Sequence, residues 1–213
     1  MSRSLPPEPV FGALLPVPPK SEAALTLLAL RRSTSAPRLQ APGPDAEGVD
    51  DLLRLAARVP DHGKLAPWRF IVLDGADKTA FAAALDALAD HRPEPERLKA
   101  ALIKLKAPPL SVVVVSRVTE GKIPAWEQEL SAGAVCMSLL IAAQAMGYGA
   151  NWITDWYAVD EDATALLGLQ PGERVAGYVH LGTPAEPPAE RVRPAIAAIT
   201  TRWTPASAQP RPR

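Results

Sequence analysis

A chain of 213 residues has room for one well-filled core with extra segments at its ends, rather than for two domains. Lys and Arg balance Asp and Glu at 23 each, so charge gives no reason to expect a nucleic-acid or acidic-membrane partner. A lone cysteine, Cys136, excludes an intramolecular disulfide.

The first twenty residues, "MSRSLPPEPVFGALLPVPPK", carry six prolines and cannot hold regular structure. They read as an arm, either disordered or wrapping, with a specific partner-binding arm as the other reading. Their short apolar piece is broken by Pro16 and no small-residue cleavage site follows, which argues against a secretory signal and makes the cytoplasm the expected location. Residues 204–213, "TPASAQPRPR", read as a tail, leaving 21–203 as the folded part.

Ser21 is placed to cap a helix over "EAALTLLALRR", with Leu25, Leu28 and Ala29 as its apolar face. The Pro/Gly loop 41–48 follows, then a second helix with Val49, Leu52, Leu53, Ala56 and Val59 at helical spacing. "WRFIVLD" reads as a strand, "ADKTAFAAALDALAD" as a helix, and 94–105 as one further helix stopping before Pro108-Pro109. "LSVVVVSRV" has the β-branched density of a strand buried on both faces.

A long apolar helix is expected from about Pro124 to Met146, with Pro124 near its first turn and Gly147 at its end. It is too short for a membrane span, and its apolar part, 131–146, is expected in the core and in or beside an interface. A strand near 149–153, a helix near 160–168 and the strand "RVAGYVHLGTP" complete the chain. Many helices around few buried strands predict an α+β domain, a sheet packed between helices.

The usual nucleotide motifs are missing. "GYGANW" lacks the third glycine of a dinucleotide fingerprint, Gly63-Lys64 and Gly121-Lys122 lack the upstream glycine of a P-loop, and no G-x-S-x-G occurs. His62, His91 and His180 are not at metal-ligand spacing, so no metal is expected. Cys136, inside the apolar helix, reads as an inert small hydrophobe. Glu127 and Glu129 read as acids favoured by a helix N-terminus more than as an acid/base pair. Trp126, Trp152, Trp156 and Tyr157 suit either a cleft or plain packing.

Two basic pairs remain. Arg31-Arg32-Ser33 closes the first helix, where the cations either complement the helix dipole or grip an anion through guanidinium forks and a hydroxyl. Arg191 and Arg193 follow the last strand and are able to converge with the first pair on one phosphate. Between helix and strand, "RVPDHGKLAPWRF" (58–70) packs a proline, an acid, an imidazole, a glycine and an ammonium into five positions. A simple linker would not need them.

"RRS", "PDHGKLAPWRF", "WEQELSAGAVCMSLLIAAQAMGYGANW" and "GYVHLGTP" occur in an order that resembles the nitroreductase family of FMN flavoproteins, most closely its minimal, YdjA-like branch of NAD(P)H nitroreductases. The resemblance spans residues 21–203. It implies an α+β sandwich with a central, mostly antiparallel sheet flanked by helices, forming a homodimer with two FMN sites at the subunit interface. Position by position, Arg31, Arg32 and Ser33 match the N-terminal flavin-binding triplet. Arg58 and His62 match positions that reach the flavin of the other subunit, with Lys64 beside them on the same rigid turn. Trp152, Ile153 and Thr154 match the segment along the isoalloxazine, and Arg191 and Arg193 the basic pair at the phosphate.

The implied activity is NAD(P)H oxidation by ping-pong hydride transfer through flavin N5 to a nitroaromatic, quinone or related acceptor. No protein side chain is required as a catalytic acid. The alternative is a flavin-binding dimer with little turnover, acting as a carrier or sensor.

Overall fold

The β-branched run Val112 to Val115 sits at the centre of the molecule because each of its faces has a helical layer to bury it. A computed structural model describes residues 5–204 of the chain. Five strands form one antiparallel sheet: β1 (Leu39–Gln40), β2 (Trp68–Asp74), β3 (Leu110–Arg117), β4 (Gly149–Ile153) and β5 (Glu173–Pro184). The order is β1-β5-β3-β2, with β4 also on β5. β5, of 12 residues, is the spine: it pairs with β3 (Val112 opposite Val179), β4 (Asn151 opposite His180) and β1 (Leu39 opposite Pro184).

Alternation along β3 and β5 splits the core in two. Val112, Val114, Val179 and Leu181 face α2 (Ala46–Ala56) and α6 (Ala125–Ala145), meeting Leu52, Val135 and Leu139. Val113, Val115 and Tyr178 face the other side, where Phe81 and Leu85 of α3 (Gly75–Ala89) pack with Leu102, Leu105 and Tyr157. The sandwich expected from the sequence is therefore present as helices, sheet, helices.

Capping fixes several boundaries. Ser21 Oγ accepts from the amide of Ala24 at the start of α1 (Glu22–Leu30), Asp45 from Gly48 at α2, and Asp160 from Ala163 at α7 (Glu161–Leu166). α6 stops at Gly147, whose φ of 84° favours a residue without a Cβ.

The elements depart from the sequence reading in three places. Residues 94–105 form two helices, α4 (Pro95–Ala101) and α5 (Ile103–Lys106), because the chain turns at buried Leu102. α2 ends at Ala56, so Val59 reaches the core from the following loop. The apolar face of α1 is unburied in this chain: Leu25 is 48% and Leu28 55% exposed. By contrast α6 buries Ser131, Ala132, Val135, Cys136, Leu139 and Leu140 within the chain's own core. The tail residues 205–213 lie outside the described residues.

Candidate functional site

α1 ends at Leu30, and Arg31 to Thr34 then run beside the α6–β4 turn as an extended segment. Three bonds hold it there. Thr34 N–H donates to Ala150 O (3.1 Å), Asn151 Nδ2 to Thr34 O (2.8 Å), and Gln144 of α6 to Arg32 O. Gly149 has no room for a side chain, since a Cβ would lie 2.7 Å from both Leu39 and Pro184 and 3.0 Å from Thr34 Oγ1. That close approach is what lets the segment lie against β4.

The two basic pairs meet here in part. Arg193 Nη2 reaches Arg31 O (3.5 Å), Arg32 Nε donates to Ala189 O (2.9 Å), and the Glu190 carboxylate stands 3.6 Å from Arg32 and 3.2 Å from Arg193. Those neighbours, led by the Arg191 amide that donates to it, hold the Glu190 carboxyl below the usual range. The guanidinium of Arg31 has no partner among the described residues, and Arg191 is exposed, contributing only that backbone amide. A cleft of about 410 Å³ opens beside them, bounded by Leu27, Leu30, Arg31, Arg32, Tyr148 and Pro188.

Further along β4, the Trp152 indole lies over the sheet, its Nε1 donating to Ala176 O (3.2 Å). Its far edge approaches Gly133 of α6, where a Cβ would be 3.9 Å away. Ile153 is half-buried and Thr154 exposed at the strand's end.

Arg58, His62 and Lys64 lie elsewhere, on the loop between α2 and β2. Asp61 braces that loop: its two carboxylate oxygens accept from the amides of Leu65 (3.1 Å) and Ala66 (2.8 Å). Gly63, Lys64 and Ala66 have φ of 81°, 55° and 45°. The glycine was foreseeable; the other two are strained, and the Asp61 clamp is what sequence reasoning missed. Ser131 of α6 donates to Pro60 O (2.8 Å), and His62 Nδ1 meets Glu127 Oε2 at 2.7 Å. Lys64 Nζ sits 5.9 Å from the centroid of Phe11 in the N-terminal arm. Arg58 is exposed on the loop, two residues past the end of α2.

Glu127 and Gln144 mark the two ends of α6, so the His62 loop and the Arg32 segment are about 25 Å apart along the helix axis. One chain does not bring the expected residues into a single cleft.

A larger hollow of about 600 Å³ lies between α3 and the α5–β3 turn, lined by Ala41, Lys78, Thr79 and Pro108. Its chemistry is structural: buried Lys78 donates to Pro108 O (2.5 Å) and Lys106 O (3.3 Å), and burial brings its ammonium down to about 8. Behind it, His180 is wholly buried with Nδ1 2.8 Å from Ser111 Oγ. Burial, reinforced by the charge of Lys78, pulls this imidazole down to about 3. Cys136 is also fully buried, its thiol pushed up to about 12 by desolvation. Among the described residues no cluster of three His, Cys, Asp or Glu side chains is able to hold a metal. Nor is any described helix long and apolar enough to cross a membrane.

An antiparallel sheet between two helical layers, with an arginine-lined cleft where α1 meets the α6–β4 turn, defines the class: an α+β sandwich. The Nitroreductase family model matches residues 28–183, and the chain belongs to the nitroreductase family. It is 35% identical over 163 residues to "Putative NAD(P)H nitroreductase YdjA" of Escherichia coli, covering 76% of this chain and 88% of that protein. A "Putative NAD(P)H nitroreductase" of Haemophilus influenzae is 36% identical over 166 residues, covering 76% and 89%. Among solved structures, a nitroreductase-like family protein from Bacillus cereus superposes with a TM-score of 0.74 at 20% identity, over 88% of this chain and 99% of that one. A Desulfovibrio desulfuricans nitroreductase-like protein, determined in complex with FMN, gives 0.69 at 20% identity, over 87% and 100%. These likenesses establish the fold.

Proposed function

We propose that the protein is an FMN-dependent NAD(P)H oxidoreductase that works as a homodimer and reduces nitroaromatic, quinone or related acceptors. The observation that carries this reading is the meeting of Arg32 and Arg193 on one carboxylate, Glu190, with the Arg31 guanidinium, unpartnered among the described residues, alongside. Side chains that converge on an internal anion are suited to an external one, and the planar guanidinium fork matches phosphate. The residues present thus fit the phosphate end of FMN, and Trp152, Ile153 and Thr154 continue from there along β4 toward a flat ring.

FMN, when bound, supplies the chemistry of accepting and passing on hydride. This chain's own residues bind and orient. Arg31 and Arg193 hold the phosphate, with Arg32 as their partner through Glu190, and Ser33 follows them on the same extended segment. Arg58, His62 and Lys64 address the flavin of the second subunit, which accounts for their place at the far end of α6. Two features support a dimer. Trp126 and Leu130 of α6 are 61% and 65% exposed, and Ile196, Ile199 and Trp203 of the C-terminal segment are 72%, 65% and 73% exposed. Apolar surface of that extent is what a partner subunit covers.

The test is the visible spectrum of the purified protein with FMN, before and after anaerobic NADPH. The expected result is a flavoprotein spectrum that bleaches on reduction, from a protein sedimenting as a dimer. A bound flavin that neither NADH nor NADPH bleaches would leave a carrier or sensor; absence of FMN binding would end the reading altogether.

A further inference from the structure

His62 stands on a loop that is fastened to α6 at two points. Ser131 holds the carbonyl of Pro60, and one turn nearer the helix start Glu127 meets the imidazole at 2.7 Å. Between them Gly63 lies over Ile123, close enough that a Cβ would be 3.2 Å from its Cγ1. The Asp61 clamp closes the loop from inside. The His62 side chain is 65% exposed, whereas that of Glu127 is 29% exposed, so the carboxylate is the anchored member of the pair.

An ionised carboxylate has no proton to give. Its bond to Nδ1 therefore requires the proton to sit on Nδ1, and a neutral imidazole in that state presents Nε2 outward as a lone pair. Among the described residues nothing bonds to Nε2.

We propose that Glu127 is a positioning residue for His62: it fixes the Nδ1–H tautomer, so that Nε2 faces the partner subunit's flavin as a hydrogen-bond acceptor. The proposal rests on the function proposed above, which puts His62 at that flavin. It also names the flavin atoms addressed. Oxidised isoalloxazine has one N–H donor, at N3, and the ribityl chain has hydroxyls; the opposite tautomer would address the ring carbonyls instead. The family resemblance gives His62 a place at the flavin but assigns no role to Glu127, which the sequence alone presents as an ordinary first-turn acid.

Nitrogen-15 NMR of protein labelled at histidine tests this directly, because the chain has only three histidines. At a pH where His62 is neutral, its Nε2 is expected at the shift of an unprotonated ring nitrogen and its Nδ1 at that of a protonated one. Glu127→Ala should release the ring toward the other tautomer and weaken FMN about two- to tenfold, and His62→Ala should weaken it to a similar degree. Glu127→Gln, whose amide oxygen still accepts from Nδ1, should restore the tautomer and most of the affinity. An Nε2–H ring in the wild type overturns the proposal. So does unchanged FMN affinity in Glu127→Ala, or a Glu127→Gln variant as impaired as the alanine. Failure of the functional reading looks different: the wild type binds no FMN although its tautomer is as expected, and the flavin then drops out of the proposal too.

Discussion

The indole of Trp152 rests directly on Gly177, where a β-carbon would stand 2.0 Å from Nε1. The cause is a bulge in β5. Val114 pairs with Gly177 and Val115 with Val175, leaving Ala176 as the extra residue whose carbonyl accepts the indole N–H. Gly177→Ala is expected to expel the ring, at a cost of about 1–3 kcal/mol. The checks are a lower urea midpoint and red-shifted tryptophan emission. Weaker FMN binding should accompany them, as Trp152 borders the proposed ring site.

Arg31→Ala should weaken FMN more than riboflavin, because only FMN carries the phosphate that the Arg31 guanidinium is proposed to meet. A charge-assisted bond contributes about 1.5–3 kcal/mol, or roughly ten- to hundredfold in affinity. Arg193→Ala should act in the same direction by less, since its guanidinium already shares Glu190. Paired titrations with the two flavins decide the matter; equal losses would reduce Arg31 to a helix-end residue.

Much of the architecture was legible because the signals were local. The valine run of β3, the Gly147 stop and the Ser21 cap each state their structure within a few residues. The approach of Arg193 to Arg31 was foreseen only as a possibility of charge, since nothing local tells a chain where residue 193 will lie relative to residue 31. The pairings that organise the 58–66 loop were invisible for a related reason. Asp61, Glu127 and Ser131 look like a turn acid, a first-turn acid and a small core residue until the fold brings them around His62 and Pro60. The break at Leu102 escaped the reading too, because each half of 94–105 has good helix formers and only tertiary burial of that leucine selects the turn.

His180 predicts a loss of stability in mild acid. The unfolded chain takes up its proton below about pH 6.5, while the buried ring stays neutral to about 3. Across that window the unfolded state binds the extra proton, so stability should fall by about 1.4 kcal/mol per pH unit as the pH drops. Glu173, held low by its bond to Arg69, and Asp160, held low by Arg92, add losses of the same sign below about pH 4.5. His180→Asn, which keeps a donor or acceptor for Ser111 but does not titrate, should be less stable at pH 7 and nearly flat from pH 6.5 to 5. Urea unfolding at those pH values is the measurement, and a wild-type curve already flat there would refute the account.

Removal of residues 1–20 should leave the fold and the FMN site in place. The arm touches the body through Arg54 Nη1 to Pro6 O (3.1 Å) and through Lys64 beside Phe11, while Phe11, Leu14 and Val17 remain 98%, 99% and 91% exposed. Pro6, Leu15 and Pro16 also line a hollow of about 300 Å³ with Leu55 and Arg58, but among the described residues the directed contacts are one surface hydrogen bond and one exposed cation–π contact, together about 1–2 kcal/mol. A truncated protein that is soluble but no longer binds FMN would show that the arm belongs to the site.

The burial of Cys136 makes the protein its own unfolding counter. The thiol lies where reagent cannot arrive, and its thiolate is suppressed until well above neutral pH. It is also the sole cysteine, so every labelled molecule reports a single event with no need to assign peptides. A maleimide or disulfide reagent at pH 8 should therefore modify the native protein only as fast as α6 parts from the sheet, and the labelling rate reads the free energy of that opening. FMN or a partner subunit that steadies the core should slow the clock in proportion, giving a measure of binding that needs neither colour nor turnover.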